Sequence, residues 1–134
     1  MELTGEIAAI RDGRGDPARL IGEFRRAALL VPLADGPEGG LMSAVSGGIR
    51  WIYAFTDEEA LARFAQARGE SGREWEFLSV LGARLVDAVV PTADRPAGVA
   101  VNVADADGSM FFPPVAGIVP DGSAVDVVDG VEAA

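Results

Sequence analysis

Apolar residues recur at helical spacing at Leu3, Ile7 and Ile10, and the run stops in the glycine-rich Asp12-Gly13-Arg14-Gly15. Asp16-Pro17 then restarts a helix. Asp16 is the expected cap, and Pro17 takes the first helical position, where a missing N–H costs nothing. Leu20, Ile21, Phe24 and Ala28 form the expected buried face, with Arg19, Glu23 and Arg26 as spaced charges on the other. The pattern next changes period. Leu29 to Leu33 reads as a strand that Pro32 confines to an edge or to its own end, and Ala34 to Gly40 as a loop. Leu41–Val45 and Ile49–Phe55 flank Ser46-Gly47-Gly48, a tight hairpin signal. In the second arm Ile49, Trp51, Tyr53 and Phe55 alternate with Arg50, Ile52 and Ala54. This predicts an aromatic, well-buried face with Trp51 in the core and Arg50 opposite.

Thr56-Asp57-Glu58-Glu59 predicts a helix start, with Thr56 as cap and Glu59 reaching back to complete a capping box. Leu61, Phe64 and Ala65 face inward and Gly69 ends the helix. Glu70 to Arg73 is a polar loop. Trp75, Phe77 and Ser79 then alternate with Glu76, Leu78 and Val80 as a strand, and Leu81–Val89 reads as a short helix ended by Pro91. Gly98–Val103 is a strand, Asp105–Gly108 a turn and Ser109–Phe112 its returning partner. Beyond Pro113, Val115–Val119 and Val125–Val128 are candidate edge strands. This order predicts an α+β fold: a single mixed, mainly antiparallel sheet covered by helices in a two-layer sandwich. Residues 1–134 are expected to form one domain, with 113–134 an irregular acidic extension.

Composition narrows the chemistry. The 134 residues contain neither His nor Cys, and all 11 basic side chains are Arg, a bias expected of a high-GC bacterial genome. A Ser-His-Asp or Cys-His relay, ordinary zinc sites, a Schiff base and a phosphate-gripping lysine are therefore excluded. Carboxylate and arginine chemistry remain. Asp105-Ala106-Asp107-Gly108 could offer oxygen ligands to Ca²⁺ or Mg²⁺, but it lacks a third ligand before its glycine and a distal Glu; a hairpin turn accounts for it. Glu58 and Glu59 project about 100° apart on a helix and serve the cap rather than an acid/base pair. Arg14-Gly15-Asp16 is a loop and a helix cap. No catalytic residue, metal or cofactor is expected.

The formal charge is -10, with Asp+Glu 21. Residues 1–30 balance five Arg against five acids, whereas 96–134 hold six acids and no basic residue. Nucleic acid is a poor partner for such a surface, and a basic protein a good one. No positively charged start with an apolar run opens the sequence, and the longest apolar stretch, Ala27–Ala34, falls short of the roughly 20 residues of a membrane span. A cytoplasmic location without membrane insertion is expected. Large apolar groups beside rigid prolines at Met110, Phe111, Phe112, Pro113 and Pro114 are candidates for partner docking. Arg50, Trp75 and the acidic Asp121, Asp126 and Asp129 join them.

Three pieces carry a family resemblance: Ala28-Leu29-Leu30-Val31-Pro32-Leu33 after its helix, the joint Tyr53-Ala54-Phe55-Thr56-Asp57-Glu58-Glu59-Ala60-Leu61-Ala62-Arg63-Phe64, and Gly98-Val99-Ala100-Val101-Asn102. Together they resemble the N-terminal domain of the SseB-like family, small bacterial domains named after a serine-sensitivity protein. The resemblance spans roughly residues 16 to 104 and is most characteristic at the Ala-Phe-Thr joint. It implies a cytoplasmic, non-enzymatic α+β module, encountered beside secretion or envelope genes. The chain departs from the pattern where Asn-Pro commonly follows the late strand, since Val103 follows Asn102, and residues 109–134 lie outside it. The leading expectation is thus a non-catalytic protein-protein interaction module, with a homo-oligomer compatible. The alternatives are an acidic immunity-type inhibitor of a cognate toxin and, less well supported, a carboxylate-based small-molecule or metal-binding enzyme.

Overall fold

The computed structural model describes residues 2–35 and 39–127. Two helices in contact with each other open the chain, α1 (Leu3–Arg11) and α2 (Pro17–Arg26). Asp16 caps α2 by accepting from the Ala18 N–H at 2.9 Å, with Pro17 at the first turn. Six strands follow: β1 (Ala28–Pro32), β2 (Ser43–Ser46), β3 (Ile49–Ala54), β4 (Phe77–Leu81), β5 (Ala97–Val101) and β6 (Met110–Phe112). Between β3 and β4 lies α3 (Glu58–Ala67). After β4 a short α4 (Gly82–Arg84) widens into a π-helical turn, Leu85–Val89, and closes as a 3-10 turn, Val90–Thr92. No helix among the described residues is long and apolar enough to cross a membrane.

The class is α+β, but the single sheet expected from the sequence is divided in two. One sheet is the antiparallel pair β1-β4; the other has the order β2-β3-β5-β6, with β3 and β5 parallel and the outer pairs antiparallel. Hairpin geometry explains the division. Gly47 and Gly48, at φ 62° and 80°, form the two-residue turn that folds β2 onto β3, and β2 thereby occupies that edge of β3 as far as Ile52. Only the overhang is left for β1. Leu30 and Phe55 exchange both backbone hydrogen bonds at 2.8 Å, and the contact ends there as the chain turns into α3.

The larger core cluster lies on the face of the sheets opposite to the one the aromatic alternation suggested, while Phe55 of the expected face is fully buried in a second, smaller cluster with Ala60, Leu61 and Phe64, against which Tyr53 packs. Ile52 and Ala54 of β3, Val99 and Val101 of β5 and Phe112 of β6 point inward with Leu29 and Val31 of β1, and meet Ile7, Leu20, Phe24, Leu85 and Val86 from the helical segments. Phe112 stacks on Phe24 with ring centroids 4.1 Å apart. Gly82 marks the tightest approach, because a Cβ there would stand 1.9 Å from the Phe24 carbonyl oxygen. Arg25 and Asp87 clamp the same corner with two hydrogen bonds, at 3.2 and 2.6 Å.

Other boundaries also moved. Ala28, expected on the helix, is exposed in β1 because α2 stops at Arg26. Asp57 rather than Thr56 caps α3, accepting from the Ala60 N–H at 2.8 Å. Leu81 closes β4 instead of opening a helix, and Trp75 lies ahead of that strand. Among the described residues the two valine runs after Pro113 form no strand. Gly117, at φ 91°, turns the chain, leaving only an isolated bridge between Ala116 and Val119, and Val125 donates to Pro114 O at 2.8 Å. Val128 lies outside the described residues. Within 113–127, Val119 joins the core, with Ile118 and Ala124 packed against it.

Candidate functional site

The second face of the four-stranded sheet carries the exposed aromatic chemistry. Side chains alternate along a strand, so Trp51 and Tyr53 of β3, Gly98 and Ala100 of β5 and Phe111 of β6 share this outer face. Register puts Trp51 opposite Gly98, and the indole lies so close over that glycine that a Cβ would stand 2.8 Å from its ring. Phe111 then leans on Trp51 with ring centroids 5.2 Å apart. Tyr53 is covered by Phe64 of α3 at 4.9 Å, and Phe64 also meets Phe55 and the edge of Trp75. The helix therefore roofs one end of the outer face and leaves the other open. Phe111 remains 53% exposed there. Both rings stand on paired strands, so the ladder fixes the backbone of this aromatic platform.

A polar joint steadies the end of the same sheet. Asn102 follows β5 with φ 51° and is 2% exposed. Its Oδ1 accepts from the Thr56 N–H and its Nδ2 donates to the Thr56 Oγ1, both at 3.0 Å. The amide side chain thus fixes the bend between β3 and α3 to the end of β5, and it uses the hydroxyl that the sequence assigned to a helix cap. Arg63 of α3 grips both Asp105 carboxylate oxygens, at 2.6 and 2.8 Å, so the Asp105–Gly108 turn is tied to α3 by an ion pair. Arg11 holds the same turn from below by donating to Ser109 O and Ala106 O.

The docking candidates read from the sequence do not form one cluster. Phe111 is on the platform, but alternation turns Met110 and Phe112 to the inner side, where Met110 packs half-buried against the core and Phe112 is taken into it; beyond the strand Pro113 is half-buried and Pro114 buried. Arg50 is half-buried: its Nε donates to Asp94 Oδ1 at 3.3 Å and its Nη1 to Ser43 Oγ at 3.0 Å. That contact holds the Asp94 carboxyl below the usual carboxylate range. Trp75 belongs to the α3 cluster. Its Nε1–H donates to Glu70 O at 3.1 Å, and the Arg73 guanidinium stands 4.1 Å above its ring. It lines an apolar groove of about 190 Å³ with Leu61, Ala62, Ala65 and Phe77. Asp121 is exposed, Asp126 is exposed but accepts from the Ala116 N–H at 2.8 Å, and Asp129 lies outside the described residues.

Sequence reasoning assigned Trp51 to the core and passed over Gly98. The signal was the alternation itself: a strand with aromatics on one face and Ile52 and Ala54 on the other has two candidate inner faces, and α1 and α2 pack on the second. Compared with protein-family models, curated proteins and solved structures, the chain has no match in any of the three.

Proposed function

We propose that the protein is a non-catalytic protein-interaction module of the SseB-like kind, docking a basic protein partner on the outer face of the four-stranded sheet. The observation that carries this reading is Phe111, 53% exposed and tilted at 36° against Trp51 with ring centroids 5.2 Å apart. An aromatic pair on a backbone fixed by paired strands loses little conformational entropy on binding, and such residues supply a disproportionate share of interface energy. The net charge of -10 adds long-range attraction for a basic partner and sets a salt dependence. The residues of the resemblance also support it: its pieces coincide with β1, the β3–α3 joint and β5, and the Thr56–Asn102 contact joins the last two. A cytoplasmic setting beside secretion or envelope genes belongs to the same reading.

The test is affinity capture from the native extract at low and high salt, with wild-type protein and the Phe111→Ser variant. A specific basic protein, retained at low salt, released at high salt and bound at least about tenfold more weakly by the variant, is the expected result. Equal retention by both proteins, or no specific retention by either, overturns the proposal.

A further inference from the structure

The edge of the two-stranded sheet opposite the platform side carries a second, independent feature. β4 reads Phe77-Leu78-Ser79-Val80-Leu81 and pairs only with β1, leaving its other edge free among the described residues. It carries none of the devices that usually blunt an edge: no charge, no proline and no bulge interrupts the five residues. Phe77, Leu78 and Leu81 are exposed, the two leucines each at 50%.

The backbone phase of this edge follows from the ladder behind it. Leu33 N–H donates to Glu76 O at 2.9 Å and Gly82 N–H to Ala27 O at 3.0 Å. Hydrogen-bonded pairs alternate in an antiparallel ladder, so residues 76, 78, 80 and 82 face β1, and Phe77, Ser79 and Leu81 present N–H and C=O outward. We infer that this edge pairs with a second copy of itself, antiparallel about a twofold axis at Ser79, giving a β1-β4-β4-β1 sheet across the dimer.

Three properties single out a second copy. First, the outward groups of Phe77, Ser79 and Leu81 are spaced symmetrically about Ser79, so the twofold mates all of them in about six backbone hydrogen bonds. Second, the register sets Phe77 against the second copy's Leu81 on one face and Leu78 against the second copy's Val80 on the other, with the small Ser79 facing itself on the axis. Every large apolar side chain that β4 leaves exposed gains an apolar neighbour. Third, the flanks are complementary. Glu74 and Glu76 precede the strand and Arg84 follows it, all exposed and none in an ion pair among the described residues. Antiparallel pairing brings the acidic end of each copy to the Arg84 end of the other.

Sedimentation velocity over a concentration series tests the inference on the full chain. Wild-type protein is expected to pass from monomer to dimer as concentration rises. Ser79→Pro removes an outward N–H without breaking the β1 ladder and abolishes the dimer, with far-UV circular dichroism unchanged. Leu78→Lys, at an exposed site, weakens dimerisation at least about tenfold and decides the matter if the proline variant does not fold. Glu74→Arg and Arg84→Glu each weaken the dimer through like-charge contacts, and the double variant recovers it. A wild-type chain that stays monomeric, or a dimer indifferent to Leu78→Lys and to the charge exchange, overturns the inference. Phe111→Ser leaves the dimer intact, so failure here and failure of the docking proposal are separate outcomes.

Discussion

Phe111 and Phe112 are adjacent in the chain and opposite in consequence, and truncating each to alanine measures which face of the sheet is the core. Phe112 is 1% exposed, stacked on Phe24 at 4.1 Å and surrounded by Val99, Val119 and the helical residues. Its removal loses the transfer energy of a fully buried ring and the aromatic contact, and leaves a void that packed helices cannot fill, about 3–5 kcal/mol in total. Phe111 is already 53% exposed, so its truncation loses roughly half the transfer term and one tilted aromatic contact, and water occupies the space; about 1–1.5 kcal/mol follows. The assay is urea unfolding followed by far-UV circular dichroism, because Trp51 fluorescence itself responds to the Phe111 change. Against a total stability of about 5–15 kcal/mol, Phe112→Ala removes a large share and Phe111→Ala a small one. Equal costs for the two variants, or a cost below about 1.5 kcal/mol for Phe112→Ala, would refute the assignment of faces.

Asn102→Ala combines a positive-φ backbone with the loss of both contacts to Thr56 and is expected to cost about 2–4 kcal/mol; Asn102→Gly, relieved of the backbone strain, costs less, and the reverse order in chemical denaturation contradicts the account. Gly98→Ala drives a Cβ against Phe112 O and the Trp51 ring, destabilises by about 1–3 kcal/mol and changes the near-UV circular dichroism of Trp51, whereas an unchanged spectrum counts against the close approach. The carboxyls of Asp87, Asp94 and Glu23 are held below their ordinary values by hydrogen bonds from Arg25, Arg50 and Arg26. Depressed folded-state values stabilise above the unfolded-state range, near pH 4, and that stabilisation is lost as pH falls through the folded values. The thermal midpoint should therefore hold between about pH 7 and 5 and fall below about pH 4, and Asp87→Asn should start lower at neutral pH and converge with wild type in acid.

Much of the local structure was legible in the residues because its causes are local. Asp16-Pro17 specifies a capped helix start, Gly47-Gly48 a two-residue hairpin and the Leu61-Phe64-Ala65 stripe a buried helix face, each from chemistry within a few positions. What escaped depends on distant partners. The division of the sheet follows from β2 and β1 competing for one edge of β3, and the position of the core follows from which sheet face the helices choose. Thr56 reads as a cap only while Asn102, 46 residues away, is left out of account. The exposure of the candidate segment was legible only in part: Met110–Pro114 has the composition of an interface, but alternation gives Phe111 to the surface and Phe112 to the core.

The central claim is that partners dock on the Trp51–Phe111 platform, and side-chain oxidative footprinting of the protein, free and in its captured complex, tests it most directly. The account predicts that Phe111 and Trp51 lose reactivity in the complex while exposed Leu78 and Leu81 of β4, on the other sheet, keep theirs. A complex in which Phe111 stays as reactive as in the free protein, with protection elsewhere, would contradict it.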